Sequence, residues 1–394
     1  MAHWLLGRLC RRYAELARRD PRLRSFELTL PGGAAVSFGD DAPAFRIRLR
    51  TLRALRAFTR LDEVRIGLAY LEGDLDLEGE LLEALRLRPL LTDHHPLLRL
   101  RATRLRRLFL GRRRSDALAI ADHYDEDPDF FLLFLGPSRC YSHAVFTDAS
   151  EPLEKAMARK FEGAIEACGV RPGRRVLDIG GGWGGFAEYA GSRGIRVTSL
   201  TLSQRSERFL RELFRAERLP CEVVREHFLA YRSREPFDAI VNMGVSEHLP
   251  DYRATLARYG DLLVPGGRVY LDASTGPRRF RTTSFVHQHV FPGDASTLCL
   301  HDYLRALADT PLELLELHND RESYRLTSLH WAQSLERHRE AIAARWGERL
   351  YRKFHLFHWG CVYAFETGQL SAVRMLLEKP AEARLSRRLG GGRF

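Results

Sequence analysis

Lysine is scarce in this sequence, with four residues in 394, so arginine carries nearly all of the positive charge. The six cysteines are scattered and form no Cys-x-x-Cys pair, which argues against a structural zinc site and a disulfide framework and fits a reducing compartment. No apolar run is long enough to span a bilayer, and the N-terminus lacks the layout of a signal peptide. We therefore expect a cytoplasmic protein with no metal site, for which any membrane contact would be peripheral.

Positive charge is concentrated at one end of the chain. Residues 1–115 hold twenty-four arginines, no lysine and fourteen acidic residues, which accounts for nearly all of the net charge of +11. Such a basic module favours an anionic partner, either nucleic acid or a phospholipid surface, although a merely solvated, arginine-preferring surface gives the same pattern. A nucleic-acid methylation motif such as Asn-Pro-Pro-Tyr is absent, so we expect no nucleic-acid partner.

The sequence pattern divides the chain into three parts. Residues 1–90 show two short strands around a Pro-Gly-Gly turn, then a strand with basic and acidic helices, which predicts a small α+β domain. Residues 91–116 place leucines at three- and four-residue spacing between arginines, which is typical of an amphipathic helix on a lipid surface and equally of an ordinary linker. In residues 117–394 apolar runs alternate with helical patterns, as in a parallel sheet covered on both faces.

The segment VLDIGGGWGGFAEYAG, residues 176–191, predicts a strand, a glycine-rich turn and a helix. Gly180, Gly182 and Gly184 would let the backbone approach a ligand closely, and the helix N-terminus favours a negative group. No Lys-Ser or Lys-Thr follows, which excludes a P-loop. Asp178 completes the pattern D-x-G-x-G-x-G, which is typical of Rossmann-like S-adenosyl-L-methionine (SAM) methyltransferases. A dinucleotide site and a plain turn are the alternatives.

Five segments occur in a characteristic order: HYDEDPDFFLLFLGPSRCYSHAVF, GGGWGGFAEYA, FDAIVNMGVSEHL, HVFPGDAST and SYRLTSLHW. With these motifs the chain resembles the cyclopropane-fatty-acyl-phospholipid synthases over nearly its whole length. The resemblance implies an α/β, Rossmann-like class I SAM methyltransferase with a small N-terminal α+β lipid-associated domain. It also implies transfer of the SAM methyl group to the double bond of an unsaturated fatty acyl chain of phospholipid at an anionic membrane surface, with a cyclopropane or methyl-branched product. A homodimer stays open.

The resemblance also places the cofactor residue by residue. Tyr124 lies in the family's H-Y-D element, and Tyr141 and Ser142 form its Y-S pair. Trp183 would either cap the cofactor or pack on the following helix. Gln204 is displaced by two positions from the family's glutamine. The implied SAM-binding residues are Tyr124, Tyr141, Ser142, Asp178, Gly180, Gly182, Trp183, Thr201, Ser203, Gln204 and Glu226.

At the catalytic positions the sequence departs from the family, which binds a bicarbonate as base through Cys, Glu, His and Tyr side chains. Glu247 and Tyr324 match the family's Glu and Tyr, whereas His143 stands at the position of the Cys and Asp272 at that of the His. Two arrangements stay open: the exchanged pair still holds bicarbonate, or His143 and Asp272 are themselves the base. His248 is a further candidate base, as in an amine-methylating relative.

Two other functions stay open beside acyl-chain methylation. The first is N- or C-methylation of a small soluble metabolite, which the polar pair of His143 and Asp272 favours and the lipid-type N-terminal domain disfavours. The second is a non-catalytic SAM- or lipid-binding protein, against which the intact glycine turn and the matching Glu247 and Tyr324 argue.

Overall fold

The structure is a computed structural model that describes residues 6–94, 127–279, 283–290 and 296–381. The chain packs as two compact units. The first combines the described part of residues 1–105 with residues 283–290 and 331–364, and the second contains the described parts of residues 106–282, 291–330 and 365–394. The predicted linker at 91–116 lies outside the described residues from residue 95 onward, and the predicted domain boundaries stay predictions.

Helices and strands are numbered in chain order. The helices are α1 (Gly7–Ala17), α2 (Leu52–Arg60), α3 (Glu63–Leu71), α4 (Leu81–Leu85), α5 (Pro128–Leu135), α6 (Leu153–Ala167), α7 (Gly185–Gly191), α8 (Gln204–Ala216), α9 (Tyr252–Leu262), α10 (Ser284–His289), α11 (Leu300–Ala308), α12 (Arg321–Arg337), α13 (Arg339–Trp346) and α14 (Glu348–Glu366). Short 3₁₀ turns cover Arg88–Leu90 and Ser246–His248. None of the helices in the described ranges combines the length and the apolar character that crossing a membrane requires.

A four-stranded sheet lies in the first unit, in the order β2-β1-β3-β4. Its strands are β1 (Phe26–Thr29), β2 (Ala35–Phe38), β3 (Phe45–Leu49) and β4 (Leu75–Gly79). Phe26 stacks on Phe38 at a ring-centroid distance of 4.4 Å and on Phe45 at 5.2 Å, and Tyr13 of α1 packs edge-on against this row. Alternation along each strand therefore directs the aromatic rings to the face that α1 covers.

Local capping fixes the two helices that connect β3 to β4. Thr51 Oγ1 accepts a hydrogen bond from the Ala54 amide at 3.2 Å and begins α2, and the Asp62 carboxylate accepts one from the Arg65 amide at 3.2 Å and begins α3. Leu61 takes a left-handed conformation between them, with φ of 53°. The chain therefore turns sharply at residue 61. The predicted strand and basic helix of this region are confirmed.

Residues 283–290 and 331–364 pack with the first unit. The Tyr70 hydroxyl lies 2.9 Å from His355 Nδ1, and His355 Nε2 lies 2.8 Å from Glu336. A Cβ atom at Gly67 would lie 2.6 Å from the Phe285 ring, so glycine there permits close packing of α10 on α3. A linear pattern of strands and helices does not report such long-range contacts.

The second unit is built on a seven-stranded sheet in the order β10-β11-β9-β8-β5-β6-β7. Its strands are β5 (Arg175–Ile179), β6 (Arg196–Thr201), β7 (Cys221–Arg225), β8 (Phe237–Met243), β9 (Leu263–Thr275), β10 (Glu313–Asn319) and β11 (Ser371–Glu378). The five strands from β5 to β9 are parallel, and β11 joins antiparallel between β9 and β10. The predicted α/β, Rossmann-like fold is confirmed.

The direction of the strand order reverses between β5 and β8. The chain crosses from β5 to β6 on one side and from β8 to β9 on the other. Leu177 on β5, Ile240 on β8 and Leu271 on β9 are fully buried, because helices cover both faces of these central strands. In open α/β sheets the crevice outside the carboxyl ends of the strands at such a reversal is the ligand site. We therefore expect the ligand site at the residues that follow β5 and β8.

Candidate active site

The glycine-rich turn joins the carboxyl end of β5 to α7. Gly180, Gly182 and Gly184 all have positive φ, at 77°, 50° and 82°. A Cβ atom at Gly180 would lie 2.4 Å from Val245 Cγ2, in the segment that follows β8. Both the backbone conformation and the close approach therefore require glycine at position 180. The bare turn lies at the sheet reversal and fits a ligand that contacts the backbone directly.

Asp178 is buried on β5 and is paired across the sheet with Ser199 of β6, whose hydroxyl donates to Asp178 Oδ2 at 2.9 Å. Burial raises the pKa of Asp178 to about 6, and the hydrogen bond from Ser199 opposes that rise. The side chain therefore links the two strands just below the glycine turn. Its predicted contact with the cofactor stays a prediction.

Trp183 is buried within the glycine turn. Its ring lies 5.7 Å from that of Phe131 on α5 and 5.6 Å from that of Phe209 on α8. The indole Nε1 has no hydrogen-bond partner among the described residues. The indole therefore packs against α5 and α8, and the predicted packing on the following helix, α7, stays a prediction. Contact with the cofactor stays a prediction.

The polar residues predicted after β6 and β7 divide into buried and exposed pairs. Thr201 Oγ1 accepts from the Ser203 amide at 3.2 Å, and Ser203 Oγ accepts from the Ser206 amide at 3.2 Å as the N-cap of α8. Gln204 and Glu226 are exposed at the carboxyl edge of the sheet. Capping accounts for the Ser203 hydroxyl, and cofactor roles for the exposed pair stay predictions.

Ser206 was not singled out from the sequence, yet its hydroxyl donates to the Gly182 carbonyl at 2.7 Å. This bond fixes the glycine turn to the first turn of α8.

Of the remaining predicted cofactor residues, Tyr124 lies outside the described residues. Tyr141 packs its ring 5.8 Å from Phe131 and 5.7 Å from Phe134 on α5. Aromatic rings of α5 therefore contact both Tyr141 and Trp183.

A buried polar cluster contains His143 and Asp272. His143 and Asp272 are each at most 1 % exposed, and His143 Nδ1 lies 4.0 Å from Asp272 Oδ1. Asp272 lies on β9 directly across from Arg374 of β11. Asp272 lies within β9, before the end of that strand at Thr275, and the fold brings it close to His143. The catalytic roles of the two residues stay predictions.

Three charged residues of the cluster were missed in the sequence. Lys160 of α6 lies 2.8 Å from Asp272 Oδ2, and its ammonium also donates to the buried Ser142 hydroxyl. Asp320 lies 3.1 Å from His143 Nε2 and 3.1 Å from Arg374 Nε. Lys160 is flanked on α6 by buried Ala156, Met157, Phe161 and Ala164. A lysine on the apolar face of a helix was the available signal.

Tyr324 lies in the first turn of α12, where its amide donates a hydrogen bond to the Asp320 carbonyl at 2.9 Å. Its ring lies 5.0 Å from that of His143 and stacks on Phe365 at 4.5 Å. The structure therefore brings Tyr324 to the cluster that contains His143, Asp272 and Asp320.

Glu247 lies in the 3₁₀ turn that follows β8. Its Oε1 accepts from the Ser274 amide at 2.7 Å and from the Ser274 hydroxyl at 2.8 Å, whereas Oε2 is buried with no hydrogen-bond partner among the described residues. Burial raises the pKa of Glu247, Ser274 opposes the rise, and Asp272 adds to it. Burial lowers the pKa of His248 to about 4, so its imidazole is neutral at pH 7.

His143, Asp272 and Glu247 are buried groups that can accept a proton away from bulk water. The cations Lys160 and Arg374 are already paired with Asp272 and Asp320. A bicarbonate ion beside His143 would meet two carboxylates and, among the described residues, no unpaired cation. The residues of this cluster therefore do not fit a bound bicarbonate.

Within the described residues, the group formed by Cys299, His301 and Asp302 brings three possible metal-ligating atoms within 4.8 Å of one another. The guanidinium of Arg279 lies 3.1 Å from the Asp302 carboxylate. Arg279 therefore already neutralises the Asp302 carboxylate. The three residues lie outside the buried cluster of His143 and Asp272.

Comparison with known proteins gives the family. The family profile described as mycolic acid cyclopropane synthetase matches residues 111–375. A probable fatty acid methyltransferase of Pseudomonas putida is 28% identical over 387 residues, which cover 93% of this chain and 95% of that protein. The structure of the cyclopropane synthase MmaA2 from Mycobacterium tuberculosis has a TM-score of 0.63 at 27% identity and covers 67% of this chain and 98% of that one.

A second solved structure has a similar fold. It is the mycolic acid cyclopropane synthase CmaA1 complexed with SAH and CTAB, with a TM-score of 0.62 at 24% identity, covering 67% of this chain and 98% of that one. The family match spans more than half of the chain and includes the glycine turn and the buried cluster. The chain therefore belongs to the mycolic acid cyclopropane synthetase family, and it is an enzyme, a methyltransferase with the class I fold and SAM as its cofactor.

Proposed function

We propose that the enzyme transfers the SAM methyl group to the double bond of an unsaturated fatty acyl chain of phospholipid and then removes a proton to give a cyclopropane. The observation that carries this proposal is the buried cluster of His143, Asp272 and Asp320 beside Tyr324, with the buried carboxyl group of Glu247 as a separate group. Addition of a methyl cation to an alkene leaves a carbocation, and ring closure requires a proton acceptor in a dry site. A methyl-branched saturated product would also require a reductant.

The named relatives support an acyl chain as substrate. The Pseudomonas putida relative, named a probable fatty acid methyltransferase, aligns with 93% of this chain, including the first unit. The exposed side of α2 carries Arg53, Arg56 and Arg60 beside Leu52, which is 63% exposed. Arginine and leucine on one exposed helix face suit the surface of an anionic bilayer. We assign to the first unit the contact with phospholipid at the inner membrane surface.

Fatty acid analysis of a bacterial host that lacks its own cyclopropane synthase tests this function. Expression of the enzyme should convert part of the unsaturated acyl chains into a product heavier by one CH₂. A product heavier by CH₄ would show a saturated methyl branch. An unchanged fatty acid profile, with SAM binding intact in the purified protein, would contradict the proposal.

The second candidate is N- or C-methylation of a small soluble metabolite. The observation that favours it is the density of charge in the buried cluster, since Asp272 lies beside both Lys160 and His143, and His143 also contacts Asp320. Neutral His248 would serve as a base for an amine. Labelled methyl transferred from SAM into the aqueous extract, with none in the lipid extract, would favour this candidate.

A further inference from the structure

Lys160 is one of four lysines in the chain, and its side chain is completely buried. Burial alone would lower the pKa of Lys160, but Asp272 foremost, with Cys140 and Asp320, raises it above its ordinary value. An ammonium buried without a partner would be strongly destabilising, so the ion pair with Asp272 is what makes this position tolerable. Lys160 is therefore charged, and it is the cation that pairs with Asp272.

His143 is held by a second carboxylate. Its Nε2 lies 3.1 Å from Asp320 Oδ2. Burial raises the pKa of Asp320, but the hydrogen bond with His143 and the charge of Arg374 outweigh burial and lower it. An ionised carboxylate only accepts hydrogen bonds, so Nε2 carries the proton of the imidazole. In the neutral ring the lone pair is then on Nδ1, which is buried and has no hydrogen-bond partner in the described part of the chain.

The charges of the cluster balance when His143 is neutral. Lys160 and Arg374 carry two positive charges, and Asp272 and Asp320 carry two negative charges. A proton added at Nδ1 would lie 4.0 Å from Asp272 Oδ1, while Nε2 keeps its contact with Asp320. A proton at Nδ1 would therefore lie on the side of the ring that faces Asp272, opposite the contact with Asp320. The groups around His143 are Asp272, Tyr270, Asp320, Tyr324, Lys160 and Arg374.

We propose that Nδ1 of His143 is the base that takes the proton from the transferred methyl group, and that no bicarbonate takes part. This inference rests on the proposed acyl-chain methylation. The π pair of the alkene forms a carbon–carbon bond to the methyl group as the bond from that carbon to sulfur breaks. The methyl C–H bond then breaks, its electron pair closes the ring on the cationic carbon, and the proton moves to His143. Release of this proton to water restores the neutral ring.

Asp320 and Lys160 are positioning residues in this scheme. Asp320 fixes the tautomer of His143, and Lys160 keeps Asp272 in place as the carboxylate that faces Nδ1. Glu247 is a separate group, because both hydrogen bonds to its Oε1 come from Ser274.

The first test needs no lipid substrate. We would load the full-length protein with S-adenosylhomocysteine, measure binding of ¹³C-bicarbonate by NMR, and record ¹⁵N-histidine spectra of wild type and His143→Gln. We expect any bicarbonate binding to be the same in wild type and His143→Gln. We also expect the ¹⁵N spectrum to show the proton of His143 on Nε2. Bicarbonate binding that disappears in His143→Gln would overturn the inference, as would a proton on Nδ1.

The second test measures turnover on vesicles of unsaturated phosphatidylglycerol in buffer freed of carbon dioxide. The wild-type rate should be unchanged by added bicarbonate, and His143→Gln should lower kcat by about 100-fold or more without changing the Kd for SAM. His301→Gln, which alters a histidine on α11 whose side chain is 63% exposed, is the control and should keep full turnover. Saturable stimulation by bicarbonate, or full turnover in His143→Gln, would contradict the inference.

Asp320→Asn separates positioning from structure. Loss of the carboxylate should lower kcat by about 10-fold and move the acid limb of the kcat–pH profile to lower pH, because the imidazolium loses a partner. Asp320→Glu should restore the limb in part. Lower activity with an unmoved limb would contradict the positioning role. If wild type makes no lipid product at all, the proposed function fails, whereas the bicarbonate and ¹⁵N results still decide the charge arrangement around His143.

Discussion

At the scale of single residues, burial and a few hydrogen bonds set the protonation of the site. Asp178 and Glu247 are carboxyl groups whose pKa values burial raises, and in each case a serine opposes the rise. Asp320 is a carboxyl group whose pKa is lowered, because His143 and Arg374 outweigh burial. Burial therefore favours the neutral form of Asp178 and Glu247, whereas the groups beside Asp320 favour its ionised form.

Glu247→Gln tests the first of these acids. The substitution keeps the size of the side chain and an acceptor for Ser274, but it removes the carboxylate. We expect kcat to fall by about 100-fold, because the variant loses a negative charge that can stabilise the carbocation, with the Kd for SAM changed less than about threefold. Turnover assays and isothermal titration on the same preparations measure both quantities. Unaltered turnover would remove Glu247 from the catalytic set.

Asp178→Asn tests the buried carboxyl below the glycine turn. The folded-state pKa of about 6 lies above the ordinary 3.8, so wild type loses stability as pH rises from about 4 to about 6. The shift corresponds to about 3 kcal/mol. The variant cannot ionise, so its Tm relative to wild type should increase over this interval. The control Asp261→Asn alters a side chain that is 66% exposed and should show no such trend. Parallel Tm curves for wild type and Asp178→Asn would contradict the assignment.

The chemistry of the site was only partly predictable at this scale. His143, Asp272, Glu247 and Tyr324 follow from motif alignment, because each stands at a fixed place relative to a strand or a helix. Lys160 and Asp320 come from segments that no motif marks, and only the folded chain brings them to His143. Their effect is to neutralise the charges that the motif residues alone would leave unpaired.

At the scale of elements, the glycine turn depends on φ values that other residues adopt at a cost. Gly180→Ala places a methyl group 2.4 Å from Val245 Cγ2 in a backbone with φ of 77°. We expect the affinity for SAM to fall by at least about tenfold and the Tm to fall, since such strain costs about 1–3 kcal/mol. Titration calorimetry with SAM and thermal unfolding are the measurements.

Gly163→Ala is the matched control for this substitution. Gly163 lies within α6, and a Cβ atom there would meet no neighbour within 4 Å. Alanine should raise the Tm there, because glycine is a poor helix former by about 1 kcal/mol. Equal effects of the two substitutions on SAM affinity would contradict the role of the turn.

Element types were largely predictable from local patterns, whereas their grouping was not. The apolar sequence runs of β5, β6, β8 and β9 predict a parallel sheet. The Pro-Gly-Gly turn predicts the hairpin of β1 and β2. The C-terminal helices carry apolar faces that suit either unit. Specific contacts such as that between Tyr70 and His355 decide the grouping, and no periodicity encodes them.

At the scale of the whole molecule, excess positive charge in residues 1–115 suggests where an anionic surface would bind. We expect the enzyme to bind vesicles that contain phosphatidylglycerol and to release them at high salt, since the attraction is screened. The double variant Arg56→Glu/Arg60→Glu should weaken vesicle binding by about tenfold or more, because each basic residue contributes about 1 kcal/mol.

The control for that measurement has the same change in charge at another place. Arg253→Glu/Arg305→Glu alters two arginines of the second unit whose side chains are 76% and 78% exposed. Co-sedimentation with vesicles should show this variant close to wild type. Equal weakening by both double variants would mean that net charge, and not the face of α2, controls binding.

The proposed reaction has two steps: an acyl double bond accepts the SAM methyl group, and the methyl then loses a proton. Incubation of the purified enzyme with trideuteriomethyl-SAM and unsaturated phosphatidylglycerol vesicles tests both steps at once. Mass spectrometry of the released fatty acids should show a cyclopropane that retains all but one of the deuterium atoms. Lipid without deuterium, or a product that keeps every deuterium atom, would contradict the claim.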